Sequence, residues 1–223
     1  LSKTDIELPA LSSWLDLTKT NWNIALAEKN FGLRFTVNLL GCFALYMILV
    51  RILIAHRFYP GAVINDPVFI HFRSSNLSGP IFLFTYASIF SFLYYIIPKP
   101  AFFYYAVRGF LALFALRVIF IFLMPLQPSP DVISLVDPFT DKVIGFHGEV
   151  LNDLFFSGHV ADCCFFVFCC HNKTIRYFLI FFALATGIML ICQKVHYTTD
   201  VLAAPFFAYG CYVLFVKPHA EER

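Results

Sequence analysis

The chain has 223 residues, of which 60% are hydrophobic, 19% aromatic and 13% charged. That much apolar surface excludes an ordinary water-soluble domain and implies a polytopic membrane protein. A formal net charge of +2 leaves no electrostatic footprint for nucleic acid.

Residues 1–34 are mixed and polar, with Trp14 and Trp22 among Leu, Ile and Lys. Trp favours the headgroup layer, so this segment reads either as an interfacial amphipathic helix or as a solvated leader. The chain opens on Leu1 rather than Met, which leaves no basis for judging a targeting signal. Six apolar runs follow, at roughly 35–55, 80–97, 102–124, 153–170, 175–192 and 197–216. Each is near the ~20 residues that cross a hydrocarbon core. Helix is the only open-chain solution there, so the expected fold is an all-α integral membrane protein with six transmembrane helices. Pro98-Lys99-Pro100 makes a tight turn between the second and third runs, because proline cannot continue a helix. His171-Asn172-Lys173-Thr174 turns the chain between the fourth and fifth. Neither an internal repeat nor a low-complexity linker divides the chain. One membrane domain over 35–216 is therefore expected, between the N-terminal segment and a cytoplasmic tail at 217–223.

All seven Cys (42, 163, 164, 169, 170, 192 and 211) fall inside apolar runs. They read as small membrane hydrophobes rather than a disulfide framework or metal ligands. Orientation follows from Lys and Arg. With both termini cytoplasmic, the inside carries nine (Lys3, Lys19, Lys29, Arg34, Lys99, Lys173, Arg176, Lys217, Arg223) and the outside four (Arg57, Arg73, Lys142, Lys194). The loop at 125–152 is acidic, which suits the outer side.

On this topology His159 opens the fourth span and His196 the sixth, so both lie on the outer face. One histidine can attack phosphorus as a neutral imidazole while the other protonates the departing oxygen. The attacking ring needs its second nitrogen held, so that the correct tautomer faces the substrate. Asp200 is spaced i, i+4 from His196 and shares its helix face if the helix has begun by then, which makes it the natural orienter. Ser157-Gly158 supplies a small, permissive turn whose backbone N–H groups can approach phosphate oxygens at a helix start. Ser157-Gly158-His159 alone reads equally as a helix cap. Placement of both histidines on one face favours a site, because membrane ionisable residues are costly.

Asp153-x-x-Phe156-Ser157-Gly158-His159 and His196-Tyr197-Thr198-x-Asp200 resemble the paired signatures of the sphingomyelin synthase family. That family lies within the type 2 phosphatidic acid phosphatase superfamily. Arg117 with Met124-Pro125-Leu126-Gln127-Pro128, and Asp66-x-x-Phe69-x-His71-Phe72, are similar to further stretches of that family. The similarity runs over roughly 35–216. The Phe156-to-Ala161 run also looks like the plant phosphatidylcholine–diacylglycerol cholinephosphotransferases, where the residue two before the second His is basic, as Lys194 is here.

The resemblance implies that His196 is the nucleophile, that His159 is the acid and later the base, and that Asp200 orients His196. It implies Asp153 as a partner of His159 or a helix cap, and Arg117 and Lys194 as phosphate-neutralising cations or as snorkelling side chains. No metal and no cofactor is required. The implied donor is a phospholipid and the implied acceptor is ceramide or diacylglycerol, within a lipid bilayer. The phosphatases' Lys-x6-Arg-Pro motif is absent, which favours a headgroup transferase over a lipid phosphatase or phospholipase C-like hydrolase. A non-enzymatic lipid carrier, with Arg108, Arg117 and Asp162 lining a polar path, is the reading from another class. Asp162 stands one turn beyond His159 on the same face. It pairs with Arg108 or Arg117, attracts a cationic headgroup amine, or tunes His159. A structural ion pair is the expectation for Arg108.

Overall fold

The computed structural model describes residues 11–56, 61–71, 73–137 and 154–222. Seven α-helices lie among them: α1 Leu11–Ala27, α2 Phe31–His56, α3 Ser78–Ile96, α4 Pro100–Leu123, α5 Gly158–Cys169, α6 Lys173–Cys192 and α7 Thr198–Phe215. Local chemistry sets several ends. Pro100 occupies the first turn of α4, where its missing N–H is no loss. Asn172 caps α6 by accepting a hydrogen bond from the Ile175 N–H at 3.1 Å. At the other end of α6, Lys194 takes a left-handed conformation, φ 58°. The Lys194 N–H donates to the Ile191 carbonyl and the Val195 N–H to the Leu190 carbonyl, which is the Schellman pattern.

Helices α2, α3, α4, α6 and α7 are each long and apolar enough to cross a membrane, as expected of an integral multi-pass protein. The expected fourth span differs. Helix α5 has 12 residues, about 18 Å of rise, well short of a ~30 Å hydrocarbon core. Leu154 to Ser157 are not helical, because their backbone groups serve the start of α7 instead. Ser157 N–H donates to the Asp200 carbonyl at 3.2 Å, and the Leu154 carbonyl meets His196.

Helix α5 is nonetheless the centre of the bundle, touching α3, α4, α6 and α7. Lipid tails are as apolar as Phe, so close packing rather than water exclusion holds such helices together. Phe166 stacks on Phe92 with centroids 4.5 Å apart. Gly109 of α4 admits Phe165, since a Cβ there would stand 2.8 Å from its ring.

Helix α2 packs along α4, with Phe31 beside Tyr104 and Tyr46 beside Phe114, so the two run parallel. Helix α1 is docked rather than free. Trp14 Nε1, Asn21 Nδ2 and Trp22 Nε1 donate to the carbonyls of Tyr94, Pro98 and Ile97 at the α3–α4 turn. Residues 217–222 form short 3₁₀ turns against α4, with His219 stacked on Tyr105 at 3.5 Å.

Candidate functional site

The starts of α5 and α7 meet at the end of the bundle opposite α1. His196 lies just before α7, not on its first turn: the helix begins at Thr198 with Tyr197 as N-cap. The imidazole is buried, 3% exposed. Its Nδ1 is 3.0 Å from the Leu154 carbonyl oxygen and 3.7 Å from Asp200 Oδ2. A carbonyl only accepts, so Nδ1 carries the proton and Nε2 keeps its lone pair. The carboxylate that sequence spacing assigned as orienter is the more distant neighbour. Asp200 Oδ2 accepts the Tyr197 N–H at 3.0 Å, capping the start of α7.

Ser157 and Gly158 stand at the start of α5, both buried. Among the described residues, Ser157 Oγ has no hydrogen-bond partner. The Arg117 guanidinium lies against Gly158 so closely that any Cβ there would collide with it. Glycine is thus required by close approach, and Arg117, 7% exposed, lies at the first turn of α5. His159 follows on the same turn, half-buried, its ring edge-on to Phe82 with centroids 5.6 Å apart. Asp162 lies half-buried one turn further along α5. Asp153 is outside the described residues.

Lys194 is held by its neighbours. Its Nζ is 3.1 Å from Asp131 Oδ2 and 5.6 Å from the centre of the Phe69 ring. Arg108 is not part of this site. It stands nine residues before Arg117 on α4, about 14 Å along the axis. Its guanidinium faces the Tyr104 ring rather than a carboxylate among the described residues. Among the described residues, no group of three or more His, Cys, Asp or Glu is placed to hold a metal ion.

Three supporting residues were not read as site residues from the sequence, although Asp66 and Tyr197 lie in the stretches that carry the family resemblance. Asp66, buried, accepts the Thr198 N–H at 2.6 Å and the Val68 N–H at 2.9 Å, so a second carboxylate caps α7. Tyr197 donates its phenol to the Gln127 carbonyl at 2.8 Å and accepts from the Ile64 N–H. Burial holds that phenol above its ordinary pKa, so it remains a donor at neutral pH. Gln193, fully buried, accepts from the Leu77 N–H and donates from Nε2 to Ser78 Oγ and to the Ile133 carbonyl. Apart from the local Val68 contact, these span 60 to 133 residues of sequence, and no periodicity announces them.

Fold and site together define a multi-pass helical membrane protein with two histidines at one end of its bundle. Residues 152–217 match the family model described as PAP2 superfamily C-terminal. That stretch holds α5, α6 and α7 and both histidines, and covers less than a third of the chain. Over it the chain is similar to lipid phosphate-headgroup enzymes of the PAP2 and sphingomyelin synthase type. No curated protein and no solved structure matches the chain.

Proposed function

We propose that the protein is a membrane lipid phospho-headgroup transferase, moving phosphocholine or phosphoethanolamine from a glycerophospholipid to ceramide or diacylglycerol. The observation that carries the proposal is the tautomer of His196: with Nδ1–H given to Leu154, Nε2 is the free nucleophile. In the first step His196 Nε2 attacks phosphorus, and protonated His159 gives its proton to the departing diacylglycerol oxygen. In the second step neutral His159 takes the proton of the acceptor hydroxyl, which attacks the phosphohistidine and frees His196. Arg117 and the first N–H groups of α5 stabilise charge on the phosphoryl oxygens. Lys194 adds a further cation at the rim. Asp200 and Asp66 hold the start of α7, and Asp162 faces the headgroup amine. Asp153 supports His159.

The Lys and Arg distribution supports an outer-leaflet site with cytoplasmic termini. The test is purified protein in detergent micelles with headgroup-labelled phosphatidylcholine or phosphatidylethanolamine, with and without ceramide and diacylglycerol, followed by lipid mass spectrometry. Acceptor-dependent appearance of a new headgroup lipid supports the transferase. Release of the free phospho-alcohol with water as acceptor makes it a hydrolase instead. No turnover of either donor removes the enzymatic reading. His159→Ala and His196→Ala should each lose roughly 10²–10⁴-fold.

A further inference from the structure

At the end of the bundle occupied by α1, two arginines converge on one aromatic ring. Arg34, exposed near the start of α2, has its guanidinium carbon 5.9 Å from the Tyr104 centroid. Arg108, half-buried on α4, stands 5.8 Å from the same centroid. Among the described residues no carboxylate pairs with either. Cation–π attraction to one ring is worth about 0.5–1 kcal/mol per cation at an exposed site.

Arg108 is also an ionisable residue within a membrane-crossing helix, a placement that is costly without a function. Side chains lean toward the N-terminus of their helix. Arg108 accordingly reaches back over Tyr104, toward the level where α1 docks and Trp14 and Trp22 mark the headgroup layer. Two guanidiniums with no carboxylate partner among the described residues, 5.9 and 5.8 Å from one ring centre near headgroup depth, present N–H donors of the kind that hold a phosphodiester.

We infer that Arg34, Tyr104 and Arg108 form a binding site for the phosphate headgroup of an anionic phospholipid, in the leaflet opposite the histidines. Its ligand is a bilayer lipid, because Arg108 opens onto the flank of the bundle within a span. The site is independent of the proposed transfer reaction.

Native mass spectrometry of the detergent-solubilised full chain tests it, with dioleoylphosphatidylglycerol titrated against dioleoylphosphatidylcholine. Wild-type protein should retain phosphatidylglycerol at lower lipid concentration than phosphatidylcholine. Arg34→Gln and Arg108→Gln should each weaken phosphatidylglycerol retention about fivefold, the size expected for one cation near an anionic lipid. Phosphatidylcholine retention should stay unchanged, and Arg108→Lys should recover part of the loss. Arg34 is exposed, so Arg34→Gln keeps the test valid even if Arg108→Gln fails to fold. Equal retention of both lipids by the wild type would overturn the site. So would an undiminished preference in Arg34→Gln, or displacement of phosphatidylglycerol by millimolar inorganic phosphate, which would indicate a small-anion site instead.

Discussion

His196 Nδ1 is 3.0 Å from the carbonyl oxygen of Leu154, closer than the 3.7 Å to Asp200 Oδ2. A backbone oxygen thus sets the tautomer, and Asp200 serves chiefly as the cap of α7 through the Tyr197 N–H. Asp200→Asn keeps an accepting oxygen for that cap. It should lose less than about tenfold in turnover, with little change in thermal stability. Asp200→Ala removes the cap, costing ~1 kcal/mol, and frees the loop that carries His196. It should lose roughly 10²-fold or more. Turnover and melting temperature in detergent decide this. An Asn variant as inactive as His196→Ala would return the orienting role to the carboxylate.

Gly158→Ala tests the contact between α5 and α4. Its methyl group enters the space of the Arg117 guanidinium, and such overpacking typically costs ~1–3 kcal/mol. The variant should melt lower and bind phospholipid donor less well. The Gly158→Ala/Arg117→Gln double variant removes the clash, so its stability should return to that of Arg117→Gln alone while activity stays low. Additive stability losses in the double-mutant cycle would mean that the two residues do not meet.

Tyr197→Phe removes one hydroxyl that ties both loops of the histidine end to α7, through Ile64 and Gln127. The Gln127 carbonyl loses its donor, for which about 1–3 kcal/mol is expected. The melting temperature should fall, and limited proteolysis should cut within 61–71 or 124–137 sooner than in the wild type. Unchanged proteolysis would show that the loops are held by other means.

How much of this was legible depends on where each residue finds its partners. Helix α6 was readable because its cap, Asn172, is adjacent in sequence and its body is uniformly apolar. The run at 153–170 has the same composition, yet its described first part, Leu154 to Ser157, is not helix. Phe156 packs flat on Phe207 at 4.3 Å, and hydropathy does not distinguish an apolar residue in a helix from one in a packed extended segment. Pairing of the two histidine segments was visible from motif and topology. The Leu154 carbonyl was not, since a backbone acceptor has no residue type. The Asp66 stretch was visible by resemblance, but its contact with Thr198, 132 residues on, and that of Gln193 with Leu77, 116 residues away, were not. Arg108 was expected to find a carboxylate, and its ring partner one turn back was overlooked because cation–π pairs leave no charge signature.

Lys194 offers the sharpest test of the electrostatics at the histidine end. Its left-handed backbone costs an L-residue roughly 1–2 kcal/mol relative to glycine, and glycine is the usual occupant of this helix-end position. A side chain retained there against that cost calls for a role, and two are available. One is to anchor the 125–137 segment through Asp131; the other is to meet substrate phosphate. The ion pair itself is weak, because Asp131 is 72% exposed, and such pairs contribute about 0–1 kcal/mol. Lys194→Gly should therefore be neutral to slightly stabilising in thermal melts. If Lys194 serves only as an anchor, Lys194→Gly and Asp131→Asn should change activity alike. If it meets phosphate, Lys194→Gly should lose up to roughly 10²-fold in kcat/KM, while Asp131→Asn, which releases the ammonium, should hold or gain activity. Equal losses in the two variants would sink the phosphate role and leave Lys194 a strap anchor.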